Sequence, residues 1–320
     1  MKPYTHMQGL NVAVLATYKT ESENQPGTVE IDCSKIERYA DYLSSNGARG
    51  VFVCGTTGDF SVLSVGERLR IQEAWLTPSV TNKFEHVIVH IGSPVWEDLV
   101  ALGTHATERG ASAVAVTFPS FPHHSPQTPQ HMLQYLVRVS YALPNTPLML
   151  YNIQGATNPQ FFNDLLPILK EVKAQIPNFV GVKYTSTNFI DAFEIFTQLK
   201  LDVGIGNDEK IFAACALGFK HFICATGNLF CQKHCELLSL FSSGEINEAQ
   251  ELARRLFDAT RMISSEGYLK LTLRTATNRI MKLKYGLDLG PVNFPFLVQE
   301  DYQLAEKLTE CLFKEFGDLL

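Results

Sequence analysis

Hydrophobic residues in this chain fall into short unbroken runs, separated by segments whose apolar positions recur every three to four residues. The runs cover residues 10–18, 50–54, 86–91, 113–118, 147–153, 179–184, 202–206 and 221–225. They are rich in Val, Ile and Phe and show little alternation. A strand with one wet face alternates apolar and polar residues, whereas a strand covered on both faces does not. These runs therefore predict buried parallel strands. Helical periods lie between them at 34–46, 65–76, 97–109, 128–142, 160–172, 188–199 and 209–217. Ser64 stands before the second of these with Glu67 three residues on, which predicts a reciprocal capping box. Gly110 and Gly218 are stop signals for the third and the last.

Strands alternating with helices in this way predict an α/β fold, a (β/α)8 TIM barrel with right-handed crossovers. An open doubly wound sheet is the competing arrangement. The nucleotide-binding form of that sheet carries a Gly-x-Gly-x-x-Gly turn or a phosphate loop, and neither occurs here. Beyond Gly227 only helical periods remain, at 230–241, 245–264, 267–284 and 302–316. No Pro/Gly/Ser-rich linker precedes them. Residues 1–228 are thus expected to form the barrel that carries the site. Residues 229–320 are expected to form a C-terminal helical appendage packed on it, within the same structural domain.

Composition acts mainly by exclusion. The chain has 320 residues, 45% hydrophobic and 19% charged, enough for a large single core. A net charge of −6 with no basic stripe argues against nucleic acid as a partner. No apolar stretch approaches the roughly 20 residues that span a bilayer, and the first residues lack a signal-peptide core. The seven cysteines have no framework spacing, and Cys33, Cys54, Cys215, Cys224 and Cys311 read as reduced core thiols, which points to the cytoplasm. Cys231, His234 and Cys235 suggest a metal corner, but no second ligand pair stands at the spacing such sites use, so no metal is expected.

In a barrel of this kind the chemistry lies at the C-terminal ends of the strands. The sixth run, Asn178-Phe179-Val180-Gly181-Val182-Lys183, ends on a lone ammonium. Burial disfavours the charged form of a lysine, and a neutral amine is the nucleophile that forms Schiff bases with carbonyl compounds. The plainer reading is a lysine that snorkels from a strand end. The second run ends in Gly55-Thr56-Thr57-Gly58-Asp59, a tight turn whose amides and hydroxyls suit a small carboxylate, or simply an ordinary turn. The fifth ends in Tyr151-Asn152; this phenol is a proton shuttle or a buried tyrosine with a satisfied hydroxyl. The seventh ends in Gly206-Asn207-Asp208-Glu209, where Asp208 also fits a helix N-cap. The eighth ends in Ala225-Thr226-Gly227-Asn228. Together these ends place an anion cradle, a phenol, an amine and carboxylates on one rim.

The order and spacing of Gly55-Thr56-Thr57-Gly58, Tyr151-Asn152 and Gly181-Val182-Lys183 resemble the pyruvate-dependent lyase and synthase family. That family includes dihydrodipicolinate synthase and N-acetylneuraminate lyase. The segments 63–68, 88–92 and 204–209 resemble the lyase branch, particularly its animal form, and Gly290-Pro291 with Pro295 resembles a family signature. The resemblance covers nearly the whole chain. It implies Lys183 as the Schiff-base lysine and Tyr151 as the general acid/base. It implies Thr56 and Thr57 as binders of the pyruvate carboxylate, and Thr185, Gly206, Asp208 and Glu209 as sugar contacts. It further implies cleavage of N-acetylneuraminate to N-acetylmannosamine and pyruvate by a homotetramer, with no metal or organic cofactor. Another 2-oxo acid aldolase, dehydratase or synthase, or a non-catalytic sensor of 2-oxo or sialic acids, are the alternatives.

Several positions depart from the family pattern. Gln154 replaces a proline, and Thr157-Asn158 stand where Thr-Gly or Ser-Gly is usual. Ala225 replaces a serine that touches the sugar. Asp59 replaces a glutamate, and Asn293 an arginine. The 118–124 loop lacks the tyrosine that in the synthase branch reaches a neighbouring subunit. The Schiff-base apparatus is untouched by these changes; they bear on sugar specificity.

Overall fold

The protein is described from a computed structural model, covering residues 6–20, 29–119, 128–153, 165–186, 188–265, 269–293 and 298–320. Eight parallel strands close in sequence order, β1 pairing with both β2 and β8. They are β1 Gly9–Ala13, β2 Gly50–Val53, β3 His86–His90, β4 Ala113–Val116, β5 Leu148–Ile153, β6 Phe179–Thr185, β7 Asp202–Ile205 and β8 His221–Cys224. The predicted barrel is thus the fold. Inside it, Ala13, Phe52, Ile88, Ala113, Ala115, Met149, Tyr151 and Ile223 form one packed cluster. A larger apolar layer lies between the sheet and its helices. This double burial is why the strand sequences do not alternate.

The connecting helices are α1 Ile36–Ser45, α2 Val65–Trp75, α3 Pro78–Thr81, α4 Trp96–Glu108, α5 Pro129–Ala142, α6 Leu165–Gln175, α7 Phe189–Leu199 and α8 Ile211–Ala216. Ser64 and Glu67 make the predicted capping box, the Glu67 carboxylate accepting from Ser64 N at 2.8 Å. Gly110 and Gly218 follow α4 and α8 with positive φ. Two local expectations change. The first strand stops at Ala13, because Tyr18 turns away to form an antiparallel bridge with Ile31. The one-turn helix α3, opened by Pro78 at its first position, was hidden in a segment with no apolar period.

Among the described residues, four α-helices follow β8: α9 Gly227–Ser243, kinked at Phe230, α10 Ile246–Ile263, α11 Leu269–Tyr285 and α12 Gln299–Phe316. Fully buried Arg274 docks α11 on the barrel. Its guanidinium donates to Ala16 O at 2.8 Å and to Leu289 O at 3.3 Å. Gly290 (φ +82°) passes so close to Tyr18 that a Cβ would stand 2.5 Å from the Tyr18 carbonyl oxygen. Among the described residues, no helix is long and apolar enough to cross a membrane.

Candidate active site

Lys183 projects into the barrel from β6, where it pairs with Tyr151 of β5 and Gly204 of β7. It is 4% exposed. Its Nζ lies 3.8 Å from the ring centroid of Phe52 and 4.2 Å from that of Tyr151. Burial pulls its pKa down from 10.5 to about 7, against the opposing pull of Asp208 and Cys224. The ammonium is therefore not snorkelling to water: it is half discharged at neutral pH and faces two aromatic rings. Gly206 keeps the space beside it open. A Cβ at 206 would lie 3.5 Å from Lys183 Cε and 2.2 Å from Thr185 Oγ1, so no other residue fits unchanged.

Tyr151 is 3% exposed, and burial raises its pKa to about 12, so at rest it is a phenol. Its hydroxyl lies 3.2 Å from Thr56 Oγ1. The structure thus brings Thr56, Tyr151 and Lys183 together from β2, β5 and β6. Thr57, partly exposed, belongs to the same turn. Thr185 Oγ1, two residues past Lys183, is buried with no partner in the protein among the described residues.

Asp208 behaves differently from its neighbours. It opens a short 3-10 turn, Asp208–Lys210, yet its carboxylate serves the next unit. It accepts from Ala225 N at 3.2 Å and from Thr226 N at 2.5 Å, at the entrance to α9. The N-cap reading is not borne out: Asn207 holds the cap position of that turn, and the amides that Asp208 binds lie before the first turn of α9. Burial raises its pKa in spite of these bonds. Glu209 is exposed, with Asn207 Nδ2 at 3.5 Å from its carboxylate. Gln154, Thr157, Asn158 and residues 120–124 lie outside the described residues.

Three participants escaped the sequence reading. Phe52, fully buried, forms the surface under the amine; nothing in the apolar run distinguished it from an outward-facing residue. His90 is fully buried beside Tyr151, their ring centroids 5.6 Å apart. Its Nδ1 lies 2.9 Å from Cys54 O; a carbonyl can only accept, so Nδ1 carries the proton and Nε2 accepts from Thr117 Oγ1 at 3.4 Å. Burial, followed by the charges of Arg68 and Lys183, holds its pKa well below 6.5, so it adds no second cation near the amine. Buried Arg68 donates to the carbonyls of His90 and Gly92, both at 2.8 Å, and fixes this strand end.

The departures at 59 and 293 meet in one network. Asp59 is fully buried with φ +63°. Its carboxylate accepts from Tyr18 Oη at 2.9 Å, pairs with Lys270 and lies 3.4 Å from Arg274. The Asn293 side chain acts on the same hydroxyl, drawing its pKa down against the larger effect of burial. The turn holding Thr56 and Thr57 is thereby clamped to α11. The Cys231 and Cys235 thiols point to the carbonyls of Leu43 and Gly47, and His234 Nε2 lies 2.9 Å from Thr226 Oγ1. Among the described residues no three His, Cys, Asp or Glu side chains are grouped as a metal ion would need.

A barrel with a buried lysine of lowered pKa on its sixth strand and a phenol beside it has the groups that nucleophilic attack on a carbonyl requires. Residues 6–307 match the dihydrodipicolinate synthetase family, and the chain belongs to that family. It is 31% identical to human N-acetylneuraminate lyase over 324 aligned positions, covering 99% of this chain and 96% of that protein. It is 30% identical to N-acetylneuraminate lyase A of Xenopus laevis, covering 94% of this chain and 95% of that one. Among solved structures it superposes on the sialic acid aldolase of Ruminococcus gnavus with a TM-score of 0.80 at 24% identity, covering 98% and 99% of the two chains. It superposes on Proteus mirabilis N-acetylneuraminate lyase with a TM-score of 0.81 at 22% identity, covering 96% and 99%.

Proposed function

We propose that this chain is a pyruvate-forming lyase that cleaves N-acetylneuraminate to N-acetylmannosamine and pyruvate through a Schiff base on Lys183. The observation that carries the reading is the buried Lys183 amine, with a pKa of about 7, against Tyr151. Neutral Nζ attacks the C2 ketone of the open-chain sugar acid. The resulting carbinolamine loses hydroxide as water, taking the proton of Tyr151. The iminium so formed stabilises the tyrosinate beside it. Tyrosinate then removes the C4 hydroxyl proton as the C3–C4 bond breaks, and the bond electrons flow into the iminium to give an enamine. The aldehyde N-acetylmannosamine leaves. Tyr151 returns its proton to C3, and water releases pyruvate from the lysine.

Thr56 and Thr57 hold the substrate carboxylate in this reading, which fixes the ketone against the amine. Thr185, Gly206, Asp208 and Glu209 face the sugar chain. Asp208, already bonded to the backbone of Ala225 and Thr226, acts as a fixed acceptor rather than a swinging one. The enzyme works as a homotetramer in the cytoplasm, as the resemblance implies. A second reading keeps the chemistry and changes the aldehyde, and Ala225 favours it, since no hydroxyl stands there for a sugar. Borohydride reduction with pyruvate, followed by peptide mass spectrometry, should find one adduct, on Lys183. An adduct elsewhere overturns the mechanism. A panel of 2-oxo sugar acids, ranked by kcat/KM, then separates the two substrates.

A further inference from the structure

The Thr56–Thr57 turn is bracketed by two backbone positions that ordinarily favour glycine. Cys54 before it has φ +55° and Asp59 after it φ +63°; among the described residues Lys200 is the only other non-glycine residue with positive φ. A residue with a Cβ stays in this conformation only where its surroundings hold it there. The turn closes on itself: Gly58 N and Phe60 N donate to Gly55 O at 3.0 and 3.3 Å, and Asp59 N donates to Thr56 O at 3.3 Å. These bonds fix its shape but not its position relative to Lys183, so its two ends must be anchored from outside. His90 Nδ1, bonded to Cys54 O at 2.9 Å, anchors the first. The second anchor is the Asp59 carboxylate.

Both oxygens of that carboxylate are held, from different directions. Oδ2 accepts from Tyr18 Oη at 2.9 Å and lies 3.4 Å from Arg274 Nη2. Oδ1 pairs with Lys270 Nζ. Tyr18 and Arg274 are fully buried, and Arg274 docks α11 on the barrel through the carbonyls of Ala16 and Leu289. Lys270 is different. It stands in the first turn of α11, its side chain is 23% exposed, and the docking bonds of Arg274 do not depend on it. The network also carries charge. Two cations meet one carboxylate, so a surplus positive charge stands behind a turn that suits an anion.

We propose that Lys270 is a positioning residue for the reaction: by holding Oδ1 of Asp59 it keeps the Thr56–Thr57 turn where that turn can grip the substrate carboxylate. This rests on the reading of Lys183 and the turn given above, and it brings the C-terminal helices into substrate binding. Lys270 itself touches no substrate. Without it, Asp59 keeps Tyr18 and Arg274 on Oδ2, but its carboxylate can turn about that oxygen. The left-handed backbone at 59 is then held at one point instead of two. Loss of the surplus charge acts in the same direction. Carboxylate affinity falls while the amine and the phenol stay in place.

Lys270→Met and the milder Lys270→Gln, made in the full chain, test this. The pyruvate concentration that half-saturates borohydride trapping on Lys183 should rise about tenfold, the scale on which small misplacements of positioning groups act. Trapping on Lys183 with acetaldehyde, which forms an imine but has no carboxylate, should match the wild type. Lys270→Arg keeps the charge and should restore most of the pyruvate affinity. A purely structural role would instead lower the melting temperature and weaken both carbonyls alike. That result overturns the proposal, as does an unchanged pyruvate half-saturation. Lactate carries the carboxylate but forms no imine, and its dissociation constant, read by calorimetry, should rise by a similar factor in Lys270→Met. If lactate binding weakens although the wild type yields no pyruvate adduct, the role of Lys270 stands and the Schiff-base reading fails. Equal lactate binding in variant and wild type sinks the positioning role whatever Lys183 does.

Discussion

Lys183 and His221 are both buried bases inside one barrel, and desolvation lowers both pKa values, to about 7 and about 4. The same physics has opposite consequences at the two ends. An amine at 7 is an available nucleophile at neutral pH, whereas an imidazole at 4 is simply neutral. Their surroundings differ as well. At the rim His90 is satisfied through both nitrogens and Tyr151 through Thr56, whereas Thr185 Oγ1 and Asn152 Nδ2 have no partner among the described residues. At the floor, His221 and both side-chain polar atoms of Asn11 have no partner among the described residues. A satisfied network gives a rigid, preorganised site.

The largest effect should come from Lys183→Met. It should abolish the borohydride-trapped pyruvate adduct while making the protein more stable near neutral pH. The sign follows from linkage. An unfolded lysine titrates near 10.4 and the folded one near 7, so between these values the unfolded state binds more protons. Lys183 therefore costs stability there, and the cost fades as pH rises toward the unfolded value. Melting curves at pH 7 and pH 10 should show the advantage of the Met variant shrinking. A variant that melts lower at pH 7 would mean that the amine is not desolvated. In the wild type, adduct formation should rise through about pH 7 as the amine loses its proton.

Tyr151→Phe comes next. It keeps the aromatic face under Lys183 and removes the proton. Turnover should fall about 100- to 10,000-fold while some imine still forms. Near-normal turnover would reduce Tyr151 to a packing residue. For stability, Asp59→Asn should be the more damaging change. It leaves Lys270 and Arg274 without their buried carboxylate, and breaking such a pair costs about 3–5 kcal/mol. Urea unfolding measures this, and a loss below ~1 kcal/mol would mean that the clamp on α11 is redundant.

The two ends were unequally legible in the sequence. Strands buried on both faces announce themselves by unbroken apolar runs, and an ammonium at the end of one stands out. Lys183, Tyr151 and the Thr56-Thr57 turn were therefore readable as a set. Phe52 and His90 were not, because an aromatic residue within an apolar run looks the same facing inward or outward. Only the register shows that Phe52 underlies the amine. Asp208 was visible as a carboxylate at the right place, but its bonds cross to the next unit, a contact that local spacing cannot reveal. His221 and Asp202 lie at strand entrances, which in barrels ordinarily serve stability. Nothing in their sequence set them apart.

Ala225 gives the smallest effect and the finest test of the rim. Its N–H already donates to Asp208, so the backbone there is fixed whichever side chain it carries. A serine would add a hydroxyl without moving that frame. A neutral hydrogen bond is worth roughly 0.5–1.5 kcal/mol net, and in the wild type a bridging water can recover part of it. Ala225→Ser should accordingly lower KM for N-acetylneuraminate by a few-fold and leave kcat nearly unchanged, because the added group touches the sugar and not the reacting carbons. A change in kcat instead of KM would place residue 225 next to the chemistry. If the variant behaves like the wild type and neither cleaves N-acetylneuraminate, the sugar assignment fails. Lys183 and Tyr151 would then serve a different aldehyde through the same imine.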